Sequence, residues 1–91
     1  MTVPDDRAWT VYIIQAESGS LYTGITSDLE RRLAEHRSSA RGAKFFRTSS
    51  PRRVVFQEVR RGRGDAQRRE REIKGMSRVE KLALIRRQAC E

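Results

Sequence analysis

Two tyrosines ten residues apart, Tyr12 and Tyr22, each sit in a short β-prone run, with Glu17-Ser18-Gly19-Ser20 between the runs. Trp9 to Ile14 is β-branched and aromatic, the composition of a buried strand. Leu21 to Thr26 reads as its return partner across that turn signal, so the two runs predict a hairpin. Side chains alternate between the faces of a strand, and both tyrosines carry even numbers. They share a face only if cross-strand partners have numbers with an even sum. A two-residue Ser18-Gly19 turn gives an odd sum and separates them; a three- or five-residue loop brings them together.

The rest of the chain supplies the cover for this hairpin. Ser27 followed by Glu30 is a capping box, opening a helix to about Arg37. A loop rich in Ser, Gly and Arg spans 38–51, and Val54 to Val59 reads as a third strand. Arg60-Arg61-Gly62-Arg63-Gly64 reads as a basic turn, after which Asp65 caps a second helix ending near Gly75. Ser77 and Glu80 form another capping box ahead of a last helix with Val79, Leu82, Ala83 and Ile85. The order β-β-α-β-α-α predicts an α+β domain, a small three-stranded sheet flanked by helices. In 91 residues there is room for one core, placed at 9–91 behind a polar lead-in at 1–8.

Charge narrows the partners. Twenty Lys and Arg stand against 12 Asp and Glu, a formal charge of +8, which draws in polyanions without regard to sequence. A membrane surface needs a basic amphipathic helix with bulky apolar anchors, and the one Trp, Trp9, lies in a strand-like run instead. Cys90, the single cysteine, builds neither a disulfide framework nor a zinc cage. No apolar stretch approaches a membrane span and the first residues lack a signal-peptide pattern, so a cytoplasmic protein is expected; a monomer is expected as well.

Helical geometry sorts the charged residues further. Leu29 and Leu33 mark the core stripe of the first helix. At about 100° per residue, Arg32 and His36 fall on the edge of that stripe, one turn apart, while Arg31 lies opposite. In the second helix Ala66 and Ile73 define the buried face, with Glu70 projecting between them and Glu72 pointing away. An inward carboxylate must be compensated by a cation, a hydrogen-bond network or a metal. Lys74, one turn on, offers an ordinary ion pair to Glu70. Gly24, two residues beyond Tyr22 on the same face, leaves space for a ligand or another backbone to come close, or marks a bulge.

The ordered set resembles the GIY-YIG nucleases. Thr10-Val11-Tyr12 stands where Gly-Ile-Tyr would, and Tyr22-Thr23-Gly24 keeps the Tyr and Gly of the second motif. Gly24 to His36, Gly42-Ala43-Lys44 and Ala66 to Lys74 continue the pattern of the small stand-alone bacterial members. The resemblance implies a metal-dependent endonuclease acting on DNA, RNA not excluded, with a three-stranded, mainly antiparallel sheet. Its relatives include the incision subunit of nucleotide excision repair, homing endonucleases and structure-specific enzymes for branched DNA. It carries the metal-binding glutamate onto Glu70, the essential arginine onto Arg32, the motif tyrosines onto Tyr12 and Tyr22, and the frequent histidine onto His36.

The chemistry expected of these residues is phosphodiester hydrolysis. Glu70 would hold Mg²⁺ or Mn²⁺, and Arg32 would engage phosphate oxygens. Tyr12 would be the base, as a phenolate favoured by positive charge from the metal or Arg32. Tyr22 and His36 would orient water or phosphate, and either is an alternative base. Lys44 and Arg47 would grip the flanking backbone, with Lys74 beside Glu70. The alternative reading is a nucleic-acid-binding module with this fold and no chemistry.

Overall fold

The computed structural model describes residues 7–37 and 51–89. Three strands, β1 (Ala8–Ala16), β2 (Leu21–Thr26) and β3 (Pro51–Arg61), form one antiparallel sheet in the order β2-β1-β3. Among the described residues three helices accompany them: α1 (Leu29–Arg37), α2 (Arg63–Lys74) and α3 (Arg78–Ala89). The element order is β-β-α-β-α-α, the α+β arrangement expected.

The hairpin turns through three residues. Partners run from Thr10↔Thr26 to Gln15↔Leu21, every pair summing to an even number. The Ala16 N–H donates to Ser20 O at 2.9 Å and the Gly19 N–H to Ala16 O at 2.8 Å, leaving Glu17, Ser18 and Gly19 as the loop. Gly19 has φ 92°, the left-handed position such a loop demands. Tyr12, Tyr22 and Gly24 therefore share one face. No bulge interrupts the β1–β2 ladder. The bulge lies in β3, where Ile13 pairs with Phe56 but Ile14 with Val54.

Alternation along β1 sends its side chains into two cores. Val11 and Ile13 face Phe56 of β3 and Ala66 and Ile73 of α2, all essentially buried. Tyr12, Ile14 and Ala16 face the other way, toward Tyr22, Val54 and Leu29 and Leu33 of α1. The central strand is thus buried on both faces, and its β-branched run is what that position needs.

Several boundaries differ from expectation. Helix α1 is capped by Asp28, whose Oδ1 accepts the Arg31 N–H at 3.2 Å, rather than by Ser27. Thr26 Oγ1 accepts the Asp28 N–H at 3.0 Å and so fixes the approach. β3 runs on to Arg61, so the basic turn shrinks to Gly62, whose φ of 84° suits glycine. Helix α2 consequently starts at Arg63, and Asp65 lies within its first turn instead of capping it. Gly75 does end α2, though in a right-handed conformation at φ −79°. Ser77 and Glu80 make the reciprocal capping box expected, at 2.9 and 3.2 Å.

Candidate active site

Cross-strand register places Gly24 opposite Tyr12, and Tyr22 opposite Ile14 in the next row. Helix α1 packs across this face through Leu29 and Leu33. That docking turns the next positions of its stripe, Arg32 and His36, toward the tyrosines. His36 is buried, and its Nε2 stands 3.0 Å from the Tyr12 hydroxyl. The three rings form a tight cluster, with centroids 6.4 Å apart for Tyr12–Tyr22, 6.1 Å for Tyr12–His36 and 5.2 Å for Tyr22–His36, the last pair edge-on. Arg31 is exposed and Arg32 half-buried, as the helical wheel requires.

Gly24 proves to be a seat for the phenol. A Cβ there would lie 2.6 Å from Tyr12 Oη and 2.8 Å from Cζ, so the Tyr12 side chain already fills the space above this glycine.

Electrostatics define each member. Burial pushes the Tyr12 phenol up to about 12, more than the hydrogen bond and charge of Arg32 pull it down; Tyr22 and Glu70 add to the rise. The phenolate expected from Arg32's charge is therefore disfavoured, and Tyr12 is a neutral phenol at physiological pH. Burial also lowers His36 below the usual 6.5, with Arg32 adding to the effect against Glu35, so the imidazole is neutral. For Arg32, burial is opposed and outweighed by the oxygens of Tyr12, Glu35 and Tyr22, which hold the guanidinium firmly cationic. Its Nη1 lies 3.5 Å from Glu35 Oε1, a contact the i,i+3 spacing of the two residues allowed and sequence reasoning passed over.

Glu70 reaches this cluster through its charge, which opposes ionisation of Tyr12. Its side chain is 21 % exposed against 56 % for Glu72, in keeping with the inward face assigned to it. Its Oε2 lies 3.2 Å from Lys74 Nζ, so the ordinary i,i+4 ion pair is present, with an exposed lysine. No group of three His, Cys, Asp or Glu is gathered among the described residues. This donor set fits a divalent cation held by one carboxylate and otherwise by water and phosphate, and it does not fit a protein cage.

Sequence reasoning also missed a strap between β3 and α2. Glu58 Oε1 accepts from Arg60 Nε at 2.9 Å and from Arg69 Nε at 3.0 Å, and Arg69 immediately precedes Glu70. Opposite charges on separate elements carry no spacing signal, so nothing in the sequence marked the pair. Lys44 and Arg47 lie outside the described residues.

A sheet with this register, with two phenols on its face, an imidazole and a guanidinium brought to them by α1 and a carboxylate nearby on α2, is the arrangement of a GIY-YIG domain. The family model for the GIY-YIG catalytic domain matches residues 8–83, and the chain belongs to that family. It is similar to a UPF0213 protein of Desulfotalea psychrophila, 45 % identical over 82 residues covering 90 % of this chain and 74 % of that one. A UPF0213 protein of Staphylococcus haemolyticus is 44 % identical over 75 residues, covering 82 % of this chain and 90 % of its own. Among solved structures, the solution NMR structure of a UPF0213 protein from Bacillus halodurans superposes with a TM-score of 0.55 at 38 % identity, covering 86 % of this chain and 82 % of that chain. No helix among the described residues is long and apolar enough to cross a membrane.

Proposed function

We propose that this domain is an endonuclease that hydrolyses phosphodiester bonds in DNA, with structure-specific cleavage in repair or recombination as its setting. The observation that carries the reading is the Tyr12 hydroxyl 3.0 Å from His36 Nε2, with the Arg32 cation beside it and the Glu70 carboxylate within electrostatic reach.

In this reading Tyr12 acts as a relay. Its O–H donates to the unprotonated Nε2 of neutral His36, leaving the phenol oxygen to accept a proton from the attacking water. As that proton arrives, the phenol's own proton passes to Nε2, so Tyr12 never becomes a free phenolate and His36 ends as the cation. Gly24 keeps the phenol at the required height, and the edge-on contact with Tyr22 fixes the imidazole plane. Arg32 offers its forked donors to the phosphoryl oxygens as charge builds there. Glu70 is the proposed ligand for Mg²⁺ or Mn²⁺, which when bound neutralises phosphate charge and assists the leaving oxygen. Lys44, Arg47 and Lys74 are proposed to contact the flanking phosphates.

One observation favours the rival, a nucleic-acid-binding module without chemistry: Glu70 is already engaged by Lys74 at 3.2 Å. The same experiment separates the two. Branched, single-stranded and duplex DNA, with an RNA arm, are incubated with the protein and Mn²⁺. Cleavage that disappears in Glu70→Ala, with salt-sensitive binding retained, is the expected outcome. Binding without product from the parent protein establishes the module instead.

A further inference from the structure

Among the described residues, the sheet face that carries Tyr12 is covered along only part of its length. Register sets its side chains in rows across the three strands: Tyr22–Ile14–Val54, then Gly24–Tyr12–Gln57, then Thr26–Thr10–Val59, and last the pair Ala8–Arg61. Helix α1 packs on the first of these rows, and the tyrosine–histidine cluster occupies the second. No element among the described residues covers the rows beyond. Val59 is 69 % exposed, Ala8, Gln57 and Arg61 are exposed, and Thr10 and Thr26 are half-buried. A valine that exposed in the interior of a strand, with the half-buried Thr10 and Thr26 completing its row, makes an apolar strip in a protein of +8 charge.

We propose that this open shelf receives the unpaired nucleotide next to the scissile phosphate, so that the domain favours a strand whose bases are free over an intact duplex. The proposal rests on the nuclease reading and names the substrate class of that site. Successive rows are about 6.8 Å apart, two residues of strand rise, which is close to one nucleotide of an extended strand. A phosphate held at Arg32 then sets the adjoining base over Val59 and the threonine methyls. The second phosphate along the strand then falls by Arg61, two rows on from Tyr12. The two cations thus bracket two nucleotides of the strand, and the apolar strip lies beneath a base between them. The strip gains from a base only when the base is unstacked, because in a duplex the ring faces already cover one another.

The test measures binding, so that it stands apart from cleavage. In a Glu70→Ala background with Mg²⁺, affinities are compared for a short single strand and for the same sequence as a duplex. Val59→Ser is expected to weaken the single strand about fivefold, a fraction of the free energy of burying a valine, and to leave the duplex unchanged. Arg61→Gln is expected to lower the slope of log affinity against log salt by about 1. Both positions are exposed, and equal melting temperatures confirm that the variants fold. With Glu70 intact, Val59→Ser raises KM for a flap substrate at unchanged kcat. Unchanged single-strand affinity in Val59→Ser overturns the proposal, as does an equal loss for duplex and single strand. A parent protein that cleaves nothing overturns the nuclease reading, whereas the binding comparison still decides what the shelf holds.

Discussion

Tyr12 lies across the β1–β2 ladder from Gly24, its hydroxyl 2.6 Å from where the Cβ of any other residue would stand. The phenol cannot swing aside cheaply, because Tyr12 is 1 % exposed and packed in the core with Ile14 and Ala16. Gly24→Ala is therefore expected to lift Tyr12 off His36 and to cost about 1–3 kcal/mol, the usual penalty for overpacking. Thermal melts should show the loss of stability with the fold retained. Cleavage should fall far more than stability, since the relay is broken even in the folded fraction. Full activity in a folded Gly24→Ala protein would show that the height of the phenol does not matter.

The pH dependence follows from His36. Burial and Arg32 lower its pKa below 6.5, so the accepting imidazole is available at neutral pH. Activity is expected to fall as pH drops through that depressed value, giving an acid limb below the ordinary histidine range. Stability moves in the same direction. Between the folded pKa and 6.5 the unfolded chain binds more protons than the folded one, so stability rises with pH across that window and levels off above it. His36→Gln should remove the stability step, and a rate profile by single-turnover cleavage should lose its acid limb. A limb that survives the substitution belongs to another group.

What could be read from the sequence was local. The density of β-branched residues marked β1 and β2, and the even numbering of Tyr12 and Tyr22 tied their shared face to a three-residue loop. Helical periodicity picked Arg32 over Arg31 and Glu70 over Glu72, because a helix sets its own angles. Boundaries were harder where adjacent residues compete. Ser27 and Asp28 both suit a cap, and Thr26, by holding the Asp28 N–H, decides between them. Arg60 and Arg61 look like a turn, yet β1 supplies backbone partners that extend β3 through both, with Ala8 opposite Arg61. The depth of Tyr12 was not legible at all. It depends on where α1 lands, a long-range outcome, and it is what raises the phenol's pKa.

Lys74 distinguishes the two roles open to Glu70. If the carboxylate serves only its 3.2 Å ion pair, Lys74→Ala removes an exposed helix pair worth about 0.2–0.5 kcal/mol and does nothing else. If Glu70 holds a cation, the same change removes a competing positive charge, and Mn²⁺ affinity measured by calorimetry should rise. Glu70→Ala should abolish that binding. No detectable Mn²⁺ affinity in the parent or in Lys74→Ala, with phosphate or oligonucleotide present, would return Glu70 to a structural role.

The strap from Glu58 to Arg69 predicts an effect on turnover from outside the site. Glu58 adjoins Gln57, the cross-strand partner of Tyr12, and Arg69 adjoins Glu70, so the 3.0 Å bond joins the strand beside the phenol to the helix that carries the carboxylate. Both ends are partly exposed, at 30 % and 17 %, and Arg60 shares the same carboxylate oxygen. Stability should therefore drop by only about 1 kcal/mol in Glu58→Ala. A freer α2 lets Glu70 wander from the phosphate, and small misplacements of a reacting group are costly to rate. The expected pattern is a lower kcat with KM for DNA little changed, weaker Mn²⁺ binding, and recovery in Glu58→Gln, whose carbonyl still accepts from Arg69. A Glu58→Ala protein whose kcat and Mn²⁺ affinity match the parent, at whatever melting temperature, would reduce the strap to ordinary packing.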